Sequence, residues 1–159
     1  MLKVVSNTTP IISLLAISKL ELLKEMYGRI IIPRGVFDEI EQGRNKQFYE
    51  DLSVFDWIDI RKLQDTRSLK YITDLDKGEA EVIVLANEIE ADLVIIDEKA
   101  GREYASYFGL KYTGTIGILL KAKQLGLVEK VSPLLSEMKE NGIWLSQKFI
   151  DKIISLAGE

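Results

Sequence analysis

Short β-branched runs alternate along this chain with segments whose apolar residues recur at helical spacing, and that alternation constrains its fold more than any other feature. Lys3 to Ser6 reads as a strand, with Thr9-Pro10 as the N-cap and first position of a helix. Ile12, Leu15, Leu22, Leu23 and Met26 hold a helical period, and Ser18 to Glu21 has the spacing of a capping box. Two short helices with a break are therefore expected, closed by Gly28. Arg29 to Ile32 is a second strand ended by Pro33, and Arg34 to Gln42 a short helix stopped by Gly43. Residues 44–75 carry a weaker pattern: Phe48, Leu52 and Phe55 suggest a helix, and Trp57 to Ile60 alternate like a strand.

Beyond them the spacing predicts a helix over 78–91, a strand over 92–96, a helix over 99–108 and a strand over 110–113. A helix over 115–124 stops before Gly126, another runs from Ser132-Pro133 to Gly142, and Ser146 caps the last. Strand followed by helix, repeated, is the pattern of an α/β fold around a mostly parallel sheet. No repeat or linker divides the chain, so residues 1–159 are read as a single domain.

Composition narrows the chemistry. The chain has 159 residues, enough to bury a core, and 47% hydrophobic with 29% charged residues describes a globular protein rather than a disordered one. It contains no Cys and no His, which removes disulfides, thiolate nucleophiles, the usual zinc sites and any imidazole acid or base. Chemistry must rest on carboxylates, hydroxyls, Lys or Tyr, most simply with a bound cation. A net charge of −4 argues against broad coating of nucleic acid, though not against a local basic strip. No run approaches the roughly 18 apolar residues of a membrane span. Met1 to Val5 enters a strand pattern at once without a signal-peptide layout, and a cytoplasmic protein with no membrane partner is expected.

In parallel sheets ligands bind beyond the carboxyl ends of the strands. Asn7 and Asp97 stand at two such ends. Asp97 reads equally well as a cap for the helix starting near Lys99. Val82, Ile83, Ala86 and Ile89 define the inward face of the helix over 78–91; Glu79 lies at its edge, whereas Glu81 and Glu88 point toward water. Glu79 also fits a capping box with Asp76. Glu39 follows the second strand on a helix whose Val36 and Ile40 pack inward, and locally it resembles the solvated Asp38 and Glu41. Carboxylates gathered together raise one another's pKa unless a cation neutralises them, and oxygen-only ligands select Mg²⁺ or Mn²⁺. Such ions acidify a bound water and hold phosphate for in-line attack, which points to phosphodiester hydrolysis. Neither a P-loop nor a dinucleotide fingerprint is present. Thr115 stands at a strand-to-helix turn, where it is either an ordinary N-cap or an anion contact.

Five segments in this order resemble the PIN-domain family, the metal-dependent ribonuclease fold of VapC-type toxins, and in particular a prokaryotic PIN-like branch. They are Val4-Val5-Ser6-Asn7-Thr8-Thr9-Pro10-Ile11-Ile12, Ile32-Pro33-Arg34-Gly35-Val36-Phe37-Asp38-Glu39-Ile40, Asp76-Lys77-Gly78-Glu79-Ala80-Glu81-Val82-Ile83, Asp92-Leu93-Val94-Ile95-Ile96-Asp97-Glu98 and Thr113-Gly114-Thr115-Ile116-Gly117-Ile118-Leu119. The resemblance spans nearly the whole chain. It implies a three-layer α/β fold and an acidic cluster that binds Mg²⁺ or Mn²⁺ and cleaves RNA. Glu39, Glu79 and Asp97 match the second, third and fourth acidic positions as metal ligands, and Thr8 and Thr115 match polar positions that orient ligands. Arg34 and Lys99, beside these residues, are the candidate phosphate contacts, with Arg102, Lys121 and Lys123 as further basic residues.

The first acidic position departs from the family pattern, because Asn7 stands where an Asp is usual. One charge fewer weakens cation binding and raises the pKa of bound water, so Asn7→Asp is expected to raise metal affinity and RNA cleavage. Three readings remain open. The first is a Mg²⁺/Mn²⁺-dependent ribonuclease, the toxin half of a toxin–antitoxin pair, with activity weakened at Asn7. The second is an impaired module of the same fold that binds RNA or a protein partner without cleaving. The third is a phospho-acceptor receiver domain, disfavoured because Asn7-Thr8 lacks its acidic pair. An antitoxin protein and a homodimer are the expected protein partners. Trp144, Phe149, Ile150 and Ile153 are candidates either for the dimer contact or for the monomer core.

Overall fold

Val4, Val5 and Ser6 are fully shielded from solvent, which suits a strand covered on both faces and paired on both edges. That strand, β1 (Val4–Ser6), lies at the centre of the sheet in the computed structural model, which describes residues 1–159. It pairs with β2 (Ile30–Pro33) on one side and β4 (Leu93–Ile95) on the other. β3 (Ile58–Arg61) and β5 (Tyr112–Thr113) form the edges, giving the order β3-β2-β1-β4-β5. All four pairings are parallel. The chain winds from β1 out to β3, then returns to the other side of β1 for β4 and β5. The strand order therefore reverses between β1 and β4, and a crevice opens beyond their carboxyl ends at such a point.

Eight helices flank the sheet, completing the expected three-layer architecture. They are α1 (Thr8–Ala16), α2 (Glu21–Tyr27), α3 (Arg34–Gln42), α4 (Lys77–Glu88), α5 (Lys99–Tyr107), α6 (Thr115–Gln124), α7 (Ser132–Glu140) and α8 (Gln147–Leu156). α3 and α6 have the expected bounds, and Ser146 caps α8 by accepting the Phe149 amide at 3.1 Å. α4 packs across β1, β2 and β4 and against α3 and α5.

Several local expectations are corrected. α1 begins at Thr8, with Asn7 as its N-cap residue and Pro10 inside the first turn. The Asn7 side chain makes no capping bond, because it is used elsewhere. Ser18 does not cap α2. It adopts a left-handed φ of 55° where the Ser18 amide donates to Leu15 O and the Lys19 amide to Leu14 O, the closing turn of α1. Residues 44–75 contain two 3₁₀ turns, Leu52–Val54 and Arg67–Tyr71, instead of an α-helix. Leu52 is fully buried while Phe48 and Phe55 pack at the margin of the core, so the three act as separate anchors and not as one helical face.

Glu81 is the largest correction. The helical wheel sends it to water, yet it is 6% exposed. A helix with the sheet beneath it and α3 and α5 alongside has little open face, and Gly78 and Ala80 to Ala86 are all buried. Ile83 in this helix is fully buried; truncation to Ala there costs roughly 2–5 kcal/mol. Glu88 bends back to accept the Gln64 and Asp65 amides.

At the C-terminal end Ile150 and Ile153 join the core, whereas Trp144 is 84% and Phe149 43% exposed. The Glu159 carboxylate accepts from the Val131 amide at 2.7 Å, the Ser132 amide at 3.0 Å, Ser132 Oγ at 2.7 Å and Lys123 Nζ at 2.9 Å. It thereby joins the chain beyond α8 to α6 and the start of α7. No helix is long and apolar enough to cross a membrane.

Candidate functional site

Beyond the ends of β1 and β4 the chain turns sharply into α1 and α5, and three polar residues, Asn7, Thr9 and Glu98, meet there. The Asn7 amide continues the sheet by donating to Ile95 O at 2.9 Å, which brings residue 7 beside the segment Asp97-Glu98. Asn7 Nδ2 donates to Glu98 Oε2 at 3.2 Å, and Thr9 Oγ1 donates to Glu98 Oε1 at 2.8 Å. Asn7 is 2% exposed, and its Oδ1 is buried with no hydrogen-bond partner. An orphaned buried acceptor carries a cost of roughly 1–3 kcal/mol, so this oxygen is free to accept from an ordered water or to ligate a cation.

α3 and α4 supply the next two carboxylates. Thr8 Oγ1, at the first position of α1, donates to Glu39 Oε2 at 2.7 Å. A Cβ added at Gly78 would lie 2.9 Å from that same oxygen, so the glycine lets the Glu39 carboxylate settle over the start of α4. The next residue is Glu79. Its amide donates to Asp76 Oδ1 at 2.8 Å, the first half of the expected capping box. Its own carboxyl group is pushed up to about 7 from an ordinary 4.5, first by burial, then by hydrogen bonding to Asp76 and its charge, and further by Glu98 and Glu39.

Asp97 takes a different position. Its Oδ1 accepts the Thr115 amide at 2.8 Å and its Oδ2 accepts Thr115 Oγ1 at 2.7 Å. It therefore caps the N-terminus of α6 rather than that of α5, and the anion facing Thr115 is this carboxylate. Arg102 braces it, with Nη2 4.0 Å from Asp97 Oδ1 and Nε donating to Ile96 O at 3.0 Å. A Cβ at Gly114 would come within 2.5 Å of Asp97 Oδ1 and 2.2 Å of Arg102 Nη2, so glycine leaves room for this pair as it stands. Asp97 and Thr115 also line a cavity of about 550 Å³ that includes Thr9, Tyr112 and Trp144.

Glu39 is thus tied to Thr8 at the start of α4, where Glu79 lies, Asn7 and Thr9 are tied to Glu98, and Asp97 to Thr115. The acid that acts on Glu79 from the β4 end is Glu98, not Asp97. Sequence reasoning missed Glu98, and the only available signal was a second acid directly after Asp97. Arg34 pairs with Asp38 at 3.3 Å and stacks on Phe37. Lys123 is bound to Ala157 O and Glu159. Lys99, the first residue of α5, is exposed beside Glu98.

The donors are oxygens only, as a hard divalent cation requires, and the unpaired Asn7 Oδ1 and the crowded Glu79 both fit such an ion. No three acidic side chains converge closely enough to hold a metal ion by themselves. Among curated proteins none matches the chain. A family model described as a PIN domain matches residues 3–159. With that match over nearly its full length and the all-parallel sheet flanked by helices, the chain belongs to the PIN-domain family, a nuclease-type fold.

Proposed function

We propose that the protein is a Mg²⁺- or Mn²⁺-dependent ribonuclease that hydrolyses phosphodiester bonds at the crevice between β1 and β4, and that it serves as the toxin of a toxin–antitoxin pair. The observation that carries the reading is a buried, unpaired Asn7 oxygen at the end of β1, on a side chain bound to Glu98, with Glu98 and Glu39 both acting on the charge of Glu79. A bound divalent ion supplies Lewis acidity and aligns phosphate with attacking water. The chain's own residues prepare the place. Glu79 and Glu39 would hold the ion, Thr8 fixes Glu39, and Thr115 fixes Asp97 at the margin. Lys99 is the phosphate contact best placed to offset the acidic surroundings.

An unpaired fluorescent RNA incubated with Mn²⁺ tests this. Cleavage should fall roughly a hundredfold or more in Glu79→Gln and Glu39→Gln, beyond the loss seen for outer-sphere partners of metal sites. Failure of the unmodified protein to cut any RNA with either ion removes the reading.

The absence of a closed acidic ligand set, together with Asn7, supports the second reading, an impaired module that binds RNA or a protein partner without cleaving. Calorimetry separates the two. No heat with Mn²⁺, and RNA binding that survives Glu79→Ala and Asp97→Ala, identifies the binding module.

A further inference from the structure

Residue 7 is an amide where the resemblance leads one to expect a carboxylate, yet the place beside it is not short of charge. Glu98 occupies it, held on one oxygen by Asn7 Nδ2 at 3.2 Å and on the other by Thr9 Oγ1 at 2.8 Å. Both donors sit at the start of α1, so Glu98 reaches from the β4 side across to β1. The substitution Asn7→Asp would remove the Nδ2 donor and set a second carboxylate against the first. The amide is the residue type that lets Glu98 stay, and its other atom, Oδ1, is left buried and unpartnered.

We propose that Glu98 supplies to the cation site the carboxylate that residue 7 lacks, with Asn7 as the neutral bracket that holds Glu98 and adds its own oxygen as a ligand. The inference rests on the reading of this cluster as a cation site, but not on RNA being the substrate. It changes the expectation for Asn7→Asp: while Glu98 is present the new charge brings repulsion, not tighter binding. It also makes the two positions interchangeable in charge, because Asn7→Asp combined with Glu98→Gln restores one donor, one carboxylate and one amide oxygen.

Calorimetric titration of the full chain with Mn²⁺, without RNA, tests this in four proteins: unmodified, Glu98→Gln, Asn7→Asp and the double variant. Thermal melting in chelator follows the fold. Glu98→Gln should weaken Mn²⁺ binding roughly tenfold or more, the loss of one anionic ligand. Asn7→Asp should melt lower than the unmodified chain in chelator and gain no affinity. The double variant should recover both melting point and affinity to within about threefold, a coupling that independent sites do not show. Unchanged binding in Glu98→Gln, tighter binding in Asn7→Asp alone, additive effects in the double variant, or no Mn²⁺ uptake by the unmodified chain each overturns the proposal. Binding that follows the expected pattern while RNA stays intact rejects only the ribonuclease reading.

Discussion

The Glu81 carboxylate lies against the first turn of α3, where its Oε1 accepts the Gly35 amide at 3.2 Å across 46 positions of sequence. A Cβ at residue 35 would stand 2.2 Å from Glu81 Oε2, so the contact depends on glycine as well as on the acid. Because α3 carries Glu39 and α4 carries Glu79, this bond sets the register between two acids of the site. A carboxylate at a helix N-terminus also complements the helix dipole.

Removing either side of that contact should loosen the pair of helices. Glu81→Ala leaves the Gly35 amide buried without its partner and should cost about 1–3 kcal/mol. Gly35→Ala forces the buried carboxylate aside and should cost a similar amount. Glu81→Gln keeps an acceptor and should cost less than either. Denaturant melts of the three variants check the order; equal stability of Glu81→Ala and the unmodified chain would show that the bond holds nothing in place.

The raised pKa of Glu79 gives the metal-free protein a pH dependence of definite sign. The folded chain holds the Glu79 proton up to about pH 7, whereas in the unfolded chain it leaves near the ordinary 4.5. The stabilisation is fully present below about pH 4.5 and is lost as pH rises through about 7. After discounting for the solvent that reaches this half-buried group, the loss is on the order of 1 kcal/mol. That corresponds to about 3 °C of melting temperature for a chain of this size. Melts in chelator at about pH 5 and about pH 8 measure it; Glu79→Gln should flatten the difference.

Glu81 and Glu98 show where the sequence stopped being informative. Alternation of strand and helix carried the α/β class, and the bounds of α3 and α6 followed from Pro33, Gly43 and the Gly114 turn. Glu79 stood out at the edge of an inward apolar face, whereas Glu39 was locally indistinguishable from Asp38 and Glu41 and was singled out only by the family resemblance. The wheel placed Glu81 in water because it assumes one open face per helix, an assumption that fails for α4 with the sheet and two helices around it. Asp97 and Glu98 are adjacent acids past the end of β4, where strand alternation no longer dictates direction. Only the positions of Thr115 on one side and Asn7 and Thr9 on the other divide their roles. Ser18 carried a capping signal that lost to the closing turn of α1.

A second, separate pH window lies at the C-terminal end. Hydrogen bonds from the Val131 amide, then from Lys123 and Ser132, hold the Glu159 carboxyl at about 2, below its ordinary 4.5. A depressed folded value means that the stabilisation is present above about 4.5 and is lost as pH falls toward 2. Glu159→Gln should therefore lower the melting temperature near neutral pH and leave less to lose in acid. Hydrogen exchange should show the Val131 and Ser132 amides losing protection first. Unchanged exchange at those two amides would mean that the ties to α6 and α7 are dispensable.

The division of labour between Asp97 and Glu98 can be tested through the residues that hold Asp97. Thr115→Val removes the Oγ1 donor and keeps the amide, so it should cost about 1 kcal/mol and leave Asp97 with one hydrogen bond from residue 115 instead of two. Gly114→Ala is permitted by its backbone, since φ is −122°, but its Cβ would enter the space of Arg102 and Asp97. It should cost about 1–3 kcal/mol. If Asp97 acts in cleavage, both variants should lose roughly tenfold to a hundredfold in rate while Mn²⁺ affinity, which the proposal assigns to Glu39, Glu79 and Glu98, changes less. Single-turnover cleavage beside Mn²⁺ titration separates these quantities. A rate that is unchanged in Thr115→Val would leave Asp97 as the cap of α6 and nothing more, and the proposed chemistry would then rest on Glu39, Glu79 and Glu98.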